Sequence, residues 1–477
     1  MSQAIQLIYP TIDLFLYDLH QGLGQSDTEI NQNRQHFWQR IYGDSLNEEH
    51  LSTLQSQEGN FANYIELLGS QKIERFKHPL NGYYYPVKLG DTYALQIDYS
   101  GKKDDWEWEQ LEVTEKLRDI KDSIFDHSGK ELGKIGQSWL FWGQMTSNDQ
   151  DPSATAQKCY EAISLAPQAH WEQDLQGKGK FQGATVFELE QSVQSADGKH
   201  QTHHMVMFIF PSNESIDVIR RQMTKLYPQL IRLFHNRNKI LWVYQQSRQL
   251  KTSLKDSSSD VQQIVDSLPK LLRKYRLNLQ RLQQDLADAL TISYQHETSL
   301  SHLQSQISTI ETNSKNYANR LRAISKQYSE SNLNFFTRFY QYAQDKCLTQ
   351  VNSDYQALSV GLKPLETFTK TVEGIIEIEK TKNERKLNKT LAVASVGIGA
   401  ASLAAVTMED TAQKAVQYYL PLESESTTPV NPSVAAFTES IIKPVHVLAP
   451  TVLTFSISII VGLIFALITS LVVRTGK

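Results

Sequence analysis

The chain has 477 residues and a mass of 54.5 kDa, enough for about two to four folded units of about 100–200 residues each. With 40% hydrophobic and 21% charged residues it is not a solvated polymer. Its 48 basic and 52 acidic residues, a net charge of −4, argue against a dedicated nucleic-acid binder beyond a local basic patch. Cys159 and Cys347 offer neither a disulfide framework nor metal-finger spacing.

Residues 1–250 are expected to form a cytosolic α+β or α/β domain. The segment from Met1 to His20 lacks a basic start, and Pro10, Asp13 and Asp18 break its apolar stretches, so no signal peptide is expected. Short runs at Ile5–Tyr9, Ile12–Leu16, Tyr83–Val87, Tyr93–Tyr99, Ser138–Gly143, Thr185–Leu189 and Met205–Phe210 have strand composition. Pro86 should confine the third to a sheet edge at best. Helices are expected near Glu29–Tyr42, Val113–Ile124, Ala154–Leu165, Ile216–Leu233 and Lys239–Leu250, with Pro228 kinking or splitting the fourth. Strands interspersed with helices imply a layered fold.

Chemical motifs are sparse in this part. There is no Gly-rich phosphate loop and no Gly-x-Ser-x-Gly elbow. Gly133-x-x-Gly136 and Gly177-Lys178-Gly179-Lys180 read as turns. His200, His203 and His204 are close in sequence, but on a strand His203 and His204 point to opposite faces. No metal or cofactor is therefore expected. Trp106 and Trp108, and Trp139, Phe141 and Trp142, read as core or interface. Arg220, Arg221, Lys225, Arg232, Arg237 and Lys239 read as a solvated face, or as a surface that meets an anionic ligand or acidic residues.

Residues 255–389 are expected to form a long helical stalk. Apolar residues alternate by threes and fours from Leu268 and Leu272 through Leu300, Leu303, Ile307 and Ile310 to Tyr328, interrupted by Ser293, His296 and Ser314. Such spacing signals a coiled coil about 90 Å long at about 1.5 Å per residue. An ordinary bundle folded back on itself is the alternative. Gly361 and Pro364 interrupt the next helical stretch. From Leu365 onward one helix should run through Phe368, Val372, Ile375, Ile376 and Ile378 to Lys389.

Two uncharged segments follow, at 390–408 and 448–473. The second exceeds the roughly 20 apolar residues that cross a bilayer. The first is rich in small residues, and Ser395, Gly397, Gly399 and Ser402 are candidates for lining a pore or packing against other helices. Lys382, Arg385, Lys386 and Lys389 precede it as a basic collar, and Arg474 and Lys477 close the chain. The acidic loop 409–447 would then lie outside the cell and both termini in the cytoplasm.

This order of parts resembles the CorA-type magnesium channel superfamily. The resemblance implies a bacterial homopentamer whose first span lines the pore. The family's Gly-Met-Asn signature is missing, since Met408-Glu409-Asp410 stands there, and the loop is longer than the family's. Magnesium selectivity therefore does not carry over. One reading is an oligomeric, two-pass, ligand-responsive pore or membrane effector gated through a helical stalk. Another is a non-conducting tether that presents a cytosolic domain to a partner. An enzyme lacks any recognisable constellation. Expected partners are membrane lipids, further copies of the chain, and a cytosolic ligand or protein.

Overall fold

The computed structural model describes residues 5–382, apart from 23–24, 59–62, 77–81, 101–109, 129–130, 165–169, 195–199, 273–278 and 361. Met1–Thr369 group as one compact unit, built on a ten-stranded sheet. Its organising element is β1 (Gln6–Leu19). The sequence reads as two strands parted by Pro10, yet they are one. A bulge absorbs the proline: pairing shifts between Ile8 and Thr11, and Tyr9 takes a φ of 52°. A bulge already leaves residues out of the ladder, so a missing N–H costs little there.

In chain order come α1 (Asp27–Tyr42), α2 (Glu48–Ser56), β2 (Ile65–Glu66), β3 (Glu74–Phe76), β4 (Gly82–Leu89) and β5 (Thr92–Ser100). Then follow β6 (Gln110–Glu112), α3 (Val113–His127), β7 (Gly136–Met145), α4 (Pro152–Ile163), α5 (Trp171–Asp174), β8 (Leu175–Phe181), β9 (Ala184–Gln194) and β10 (His200–Phe210). The sheet order is β2-β4-β5-β1-β7-β10-β9-β8, with β3 on β4 and β6 on β1. β10 runs parallel to β7 and the other pairs are antiparallel. All the expected strands are present. β4, however, is not an edge strand. Its outer side pairs with β3 through Tyr84 and with β2 from Val87, and Pro86 falls between the two.

Local signals start the helices. Ser26 and Glu29 form a reciprocal capping box at α1. Asp151 caps α4 just before Pro152. Alternation along the strands then separates two cores. Ile12, Leu14, Leu16, Trp139 and Phe141 face Phe37 and Trp38 of α1, Leu117 of α3 and Tyr160 of α4. Phe15, Tyr17, Leu140 and Val206 face the other way, against α6 (Ile216–Leu272). The result is a three-layer α+β sandwich.

α6 passes Pro228 without a break, so the expected split does not occur. Leu226, Tyr227, Leu230 and Ile231 are buried on either side of it, and this anchoring outweighs the lost hydrogen bond. α7 (Leu279–Gln327) returns antiparallel, since Gln229 meets Arg320 and Gln327. α8 (Thr337–Tyr342), a π-helical turn over Ala343–Leu348 and α9 (Thr349–Ser359) then pack alongside. α10 (Leu362–Lys382) ends the described residues.

This arrangement corrects the expected coiled-coil stalk. Leu300, Leu303, Ile307, Ile310, Leu321 and Tyr328 are buried in the same core as the sheet. A heptad stripe needs only an apolar partner surface, and the chain supplies its own. His296 is a buried seam residue whose Nε2 donates to the Leu358 carbonyl at 3.2 Å.

The expected pair of membrane helices is also corrected. Among the described residues no helix is long and apolar enough to cross a membrane. The segments on which that expectation rested, with Ser395, Gly397, Gly399, Ser402, Arg385, Lys386 and Lys389, lie outside the described residues. Lys382 is the last residue of α10.

Candidate functional site

The sheet face beneath α6 carries polar groups where a core would ordinarily be apolar. Ser138 on β7, His204 on β10 and Glu188 on β9 are all buried. His204 Nδ1 lies 2.9 Å from Ser138 Oγ, and its Nε2 lies 3.2 Å from Glu188 Oε1. These are the residue types of an acyl-transfer triad, but Ser138 and His204 are wholly sealed beneath α6. Asn238 of α6 donates to the same Ser138 Oγ at 2.9 Å. The three therefore join sheet to helix. Burial pushes the Glu188 carboxyl up to about 7 despite the opposing charge of Arg237, and burial depresses the His204 imidazole well below its ordinary value. A neutral acid donating to a neutral imidazole satisfies both groups.

A second polar centre lies on the same face. Asp13 of β1 stands opposite Asp98 of β5 in register, and both are buried. Gln96 donates to Asp13 Oδ1 at 2.7 Å. Tyr227 of α6 donates to Asp98 Oδ2 at 3.4 Å while accepting from the Trp142 indole at 2.9 Å. The sequence shows these acids only as interruptions of apolar strands.

The basic group singled out in the sequence divides. Arg237 is buried, paired with Glu190, and stacks 4.7 Å from the Phe339 ring. Lys239 reaches Asp91 at 2.8 Å. Arg232 lies 4.7 Å from the Tyr64 ring, and Arg220 lies 5.1 Å from that of Tyr9. These side chains fasten α6 to the sheet and its edges. Arg221 and Lys225 instead line an open cleft of about 630 Å³.

Three elements build that cleft. Val218, Arg221, Gln222 and Lys225 recur at helical spacing on one face of α6. Gln327, Tyr328, Ser329 and Glu330 come from the end of α7 and the residues after it. Gln182 comes from the β8–β9 hairpin, whose two turn residues, Gln182 and Gly183, have φ of 45° and 86°. Positive φ at both positions is the turn that suits the twist of paired strands.

The Gly177-Lys178-Gly179-Lys180 run, expected to be a turn, is strand β8. A Cβ on Gly177 would stand 2.5 Å from that of Phe335, and one on Gly179 would stand 2.2 Å from the Asn332 carbonyl. The glycines let the chain after α7 approach β8 closely, and Lys180 and Asn332 exchange backbone hydrogen bonds of 3.0 and 2.8 Å. This contact ties the chain after α7 to the strand that leads into the Gln182 turn.

His203 and His204 do point apart: Gln137 meets His203, while its neighbour Ser138 meets His204. Among the described residues no group of three or more His, Cys, Asp or Glu could hold a metal ion. Trp106 and Trp108 lie outside the described residues. Trp139, Phe141 and Trp142 are core. Neither a protein family nor a curated protein matches the chain.

Proposed function

We propose that this chain is a ligand-responsive coupling protein: a small anionic ligand, bearing phosphate or carboxylate, binds the cleft between α6, the end of α7 and the β8–β9 turn. One observation carries the reading. A single cleft sized for a small molecule is walled by both long helices and by a hairpin of the sheet. Whatever binds there touches all three, so its binding energy acts on how the helices ride on the sheet. Arg221 and Lys225 supply positive charge, with Arg221 offering a planar fork that suits phosphate or carboxylate. Gln182, Gln222 and Gln327 add amide groups that adapt to donors or acceptors. Glu330 selects a ligand that also carries hydroxyl or amino donors.

The CorA-type resemblance rested on residues beyond those described and carries none of this proposal. What is kept from the sequence is a response to a ligand, transmitted through long helices. The test is thermal unfolding of the full chain with pyrophosphate, a nucleoside diphosphate and a dicarboxylate in turn, with the mass taken by light scattering. A ligand at about 100 times its Kd adds about 2.7 kcal/mol of stability. Arg221→Ala with Lys225→Ala should abolish that shift, and Glu330→Gln should enlarge the response to the simplest anion. No shift with any of the three probes would overturn the proposal.

A further inference from the structure

We infer that Asp13 and Asp98 form a proton-operated latch: the pair holds one proton, and uptake of a second seats α6 more firmly on the sheet. The inference stands apart from the cleft and needs no ligand other than a proton.

The geometry requires a proton on the pair. Asp13 and Asp98 are direct cross-strand partners, and both are buried. Two carboxylates so placed cannot both ionise. Asp13 Oδ1 accepts from Gln96, but among the described residues its buried Oδ2 makes no hydrogen bond, with the Tyr227 hydroxyl close by. An unpartnered carboxylate oxygen beside another carboxyl is satisfied if it carries the proton itself and donates it. Asp98 is then the acceptor. Because the Tyr227 hydroxyl already accepts from Trp142, its own hydrogen is free for Asp98 Oδ2.

The groups facing the pair come from every element around it. β1 brings Asp13 and Tyr9, β4 brings Tyr83, β5 brings Asp98 and Gln96, and β7 brings Trp142, which does not titrate. α6 brings Tyr227 and Arg220, whose charge favours the Asp98 carboxylate. Gln96 also donates to Tyr83 at 3.3 Å. Tyr9 closes the outer side, held at positive φ by the bulge, 5.5 Å from the Trp142 ring and 5.1 Å from Arg220. A non-glycine residue in that conformation is uncommon and stays only where its surroundings hold it.

Burial, then the Asp98 charge, raises the Asp13 carboxyl well above its ordinary range. Burial raises Asp98 to about 6, moderated by hydrogen bonds from Asp13, Tyr83 and Tyr227 and by the Arg220 charge. Both shifts are upward, so the fold favours the protonated forms. The stability tied to Asp98 is full below its ordinary 3.8 and is lost as pH rises through about 6. Asp13, raised by burial and by the Asp98 charge, is the member of the pair that holds the shared proton. On acidification a solvent proton adds to the Asp98 carboxylate, the buried charge disappears, and so does the cost of keeping it beneath α6.

The experiment is hydrogen exchange of the α6 segment Ile216–Leu233 in the full chain, corrected for intrinsic rates, from the ordinary carboxylate range to neutral pH. Exchange should accelerate about 100-fold across this range, as the rise of the Asp98 carboxyl from 3.8 to about 6 dictates. Asp98→Asn should reduce the step to the part that Glu188 contributes. Tyr227→Phe removes a donor to the carboxylate, so it should keep the step and move its midpoint upward. Parallel profiles for wild type and Asp98→Asn would overturn the latch. If Asp98→Asn does not fold, Tyr227→Phe decides: an unmoved midpoint overturns the inference.

Discussion

The two faces of the sheet carry the same kind of buried acid in opposite states. On the face covered by the short helices, Glu58 accepts from Arg34 at 3.0 Å and from Tyr93 at 2.7 Å. Burial by itself would raise it, but hydrogen bonds from His20, Arg34 and Tyr93 prevail and hold it at about 2. Asp18 on that face is paired with Arg40 at 3.0 Å and capped by the Lys134 amide at 2.8 Å. On the face covered by α6, Glu188 has its arginine, Arg237, turned toward Glu190, and its hydrogen bond goes to His204. It sits at about 7. A permanent cation in direct contact makes a buried acid constant, and its diversion elsewhere makes the acid adjustable. The short-helix layer is thus joined to the sheet through Glu58, whose contribution is lost only as pH falls from 4.5 toward about 2, while the α6 layer is joined through groups that change protonation near neutral pH.

The largest test of this contrast is on the constant face. Phe141→Ala should cost about 3–5 kcal/mol, read by denaturant unfolding, with the same loss at acid and neutral pH. A loss that varied with pH would erase the distinction between the faces. Next is Glu188→Gln. The carboxyl is raised from 4.5 to about 7, so wild type should lose about 3 kcal/mol relative to the variant as pH rises through that window, at about 1.4 kcal/mol per unit. His204 and His235 are depressed by burial and act with the opposite sign. The difference between the two proteins, not either curve alone, is therefore the quantity to measure. Smallest is Gly177→Ala, which forces β8 away from Phe335. It should cost about 1–3 kcal/mol, read by denaturant unfolding.

Much of the fold is legible in particular residues. The helices near Glu29–Tyr42, Val113–Ile124 and Ala154–Leu165 are visible because apolar periodicity is local. The strand runs around Leu14, Ile97, Phe141 and Phe208 are visible because alternation needs no knowledge of the partner strand. Pro10, Pro86 and Pro228 mislead for one shared reason. The cost of a proline depends on whether its missing N–H faces a partner, and a bulge, a gap between edge strands and a well-anchored helix each remove or outweigh that cost. The candidate site was half legible. Arg221 and Lys225 stand out as charge, but so do Arg237 and Lys239, and only packing separates the cleft from the fastenings.

By itself the sequence determined where most of the longer strands and helices lie, because strand composition and apolar periodicity act over a few residues, but not β8, which reads as a turn, nor the continuity of β1. It also determined that α7 must bury a long apolar stripe. Which surface that stripe meets was decided by tertiary structure, since a heptad pattern fits a sister helix and an intramolecular partner equally well. Tertiary structure also decided which acids titrate. Protonation depends on burial and on the direction a guanidinium points, and neither is written in the local order of residues.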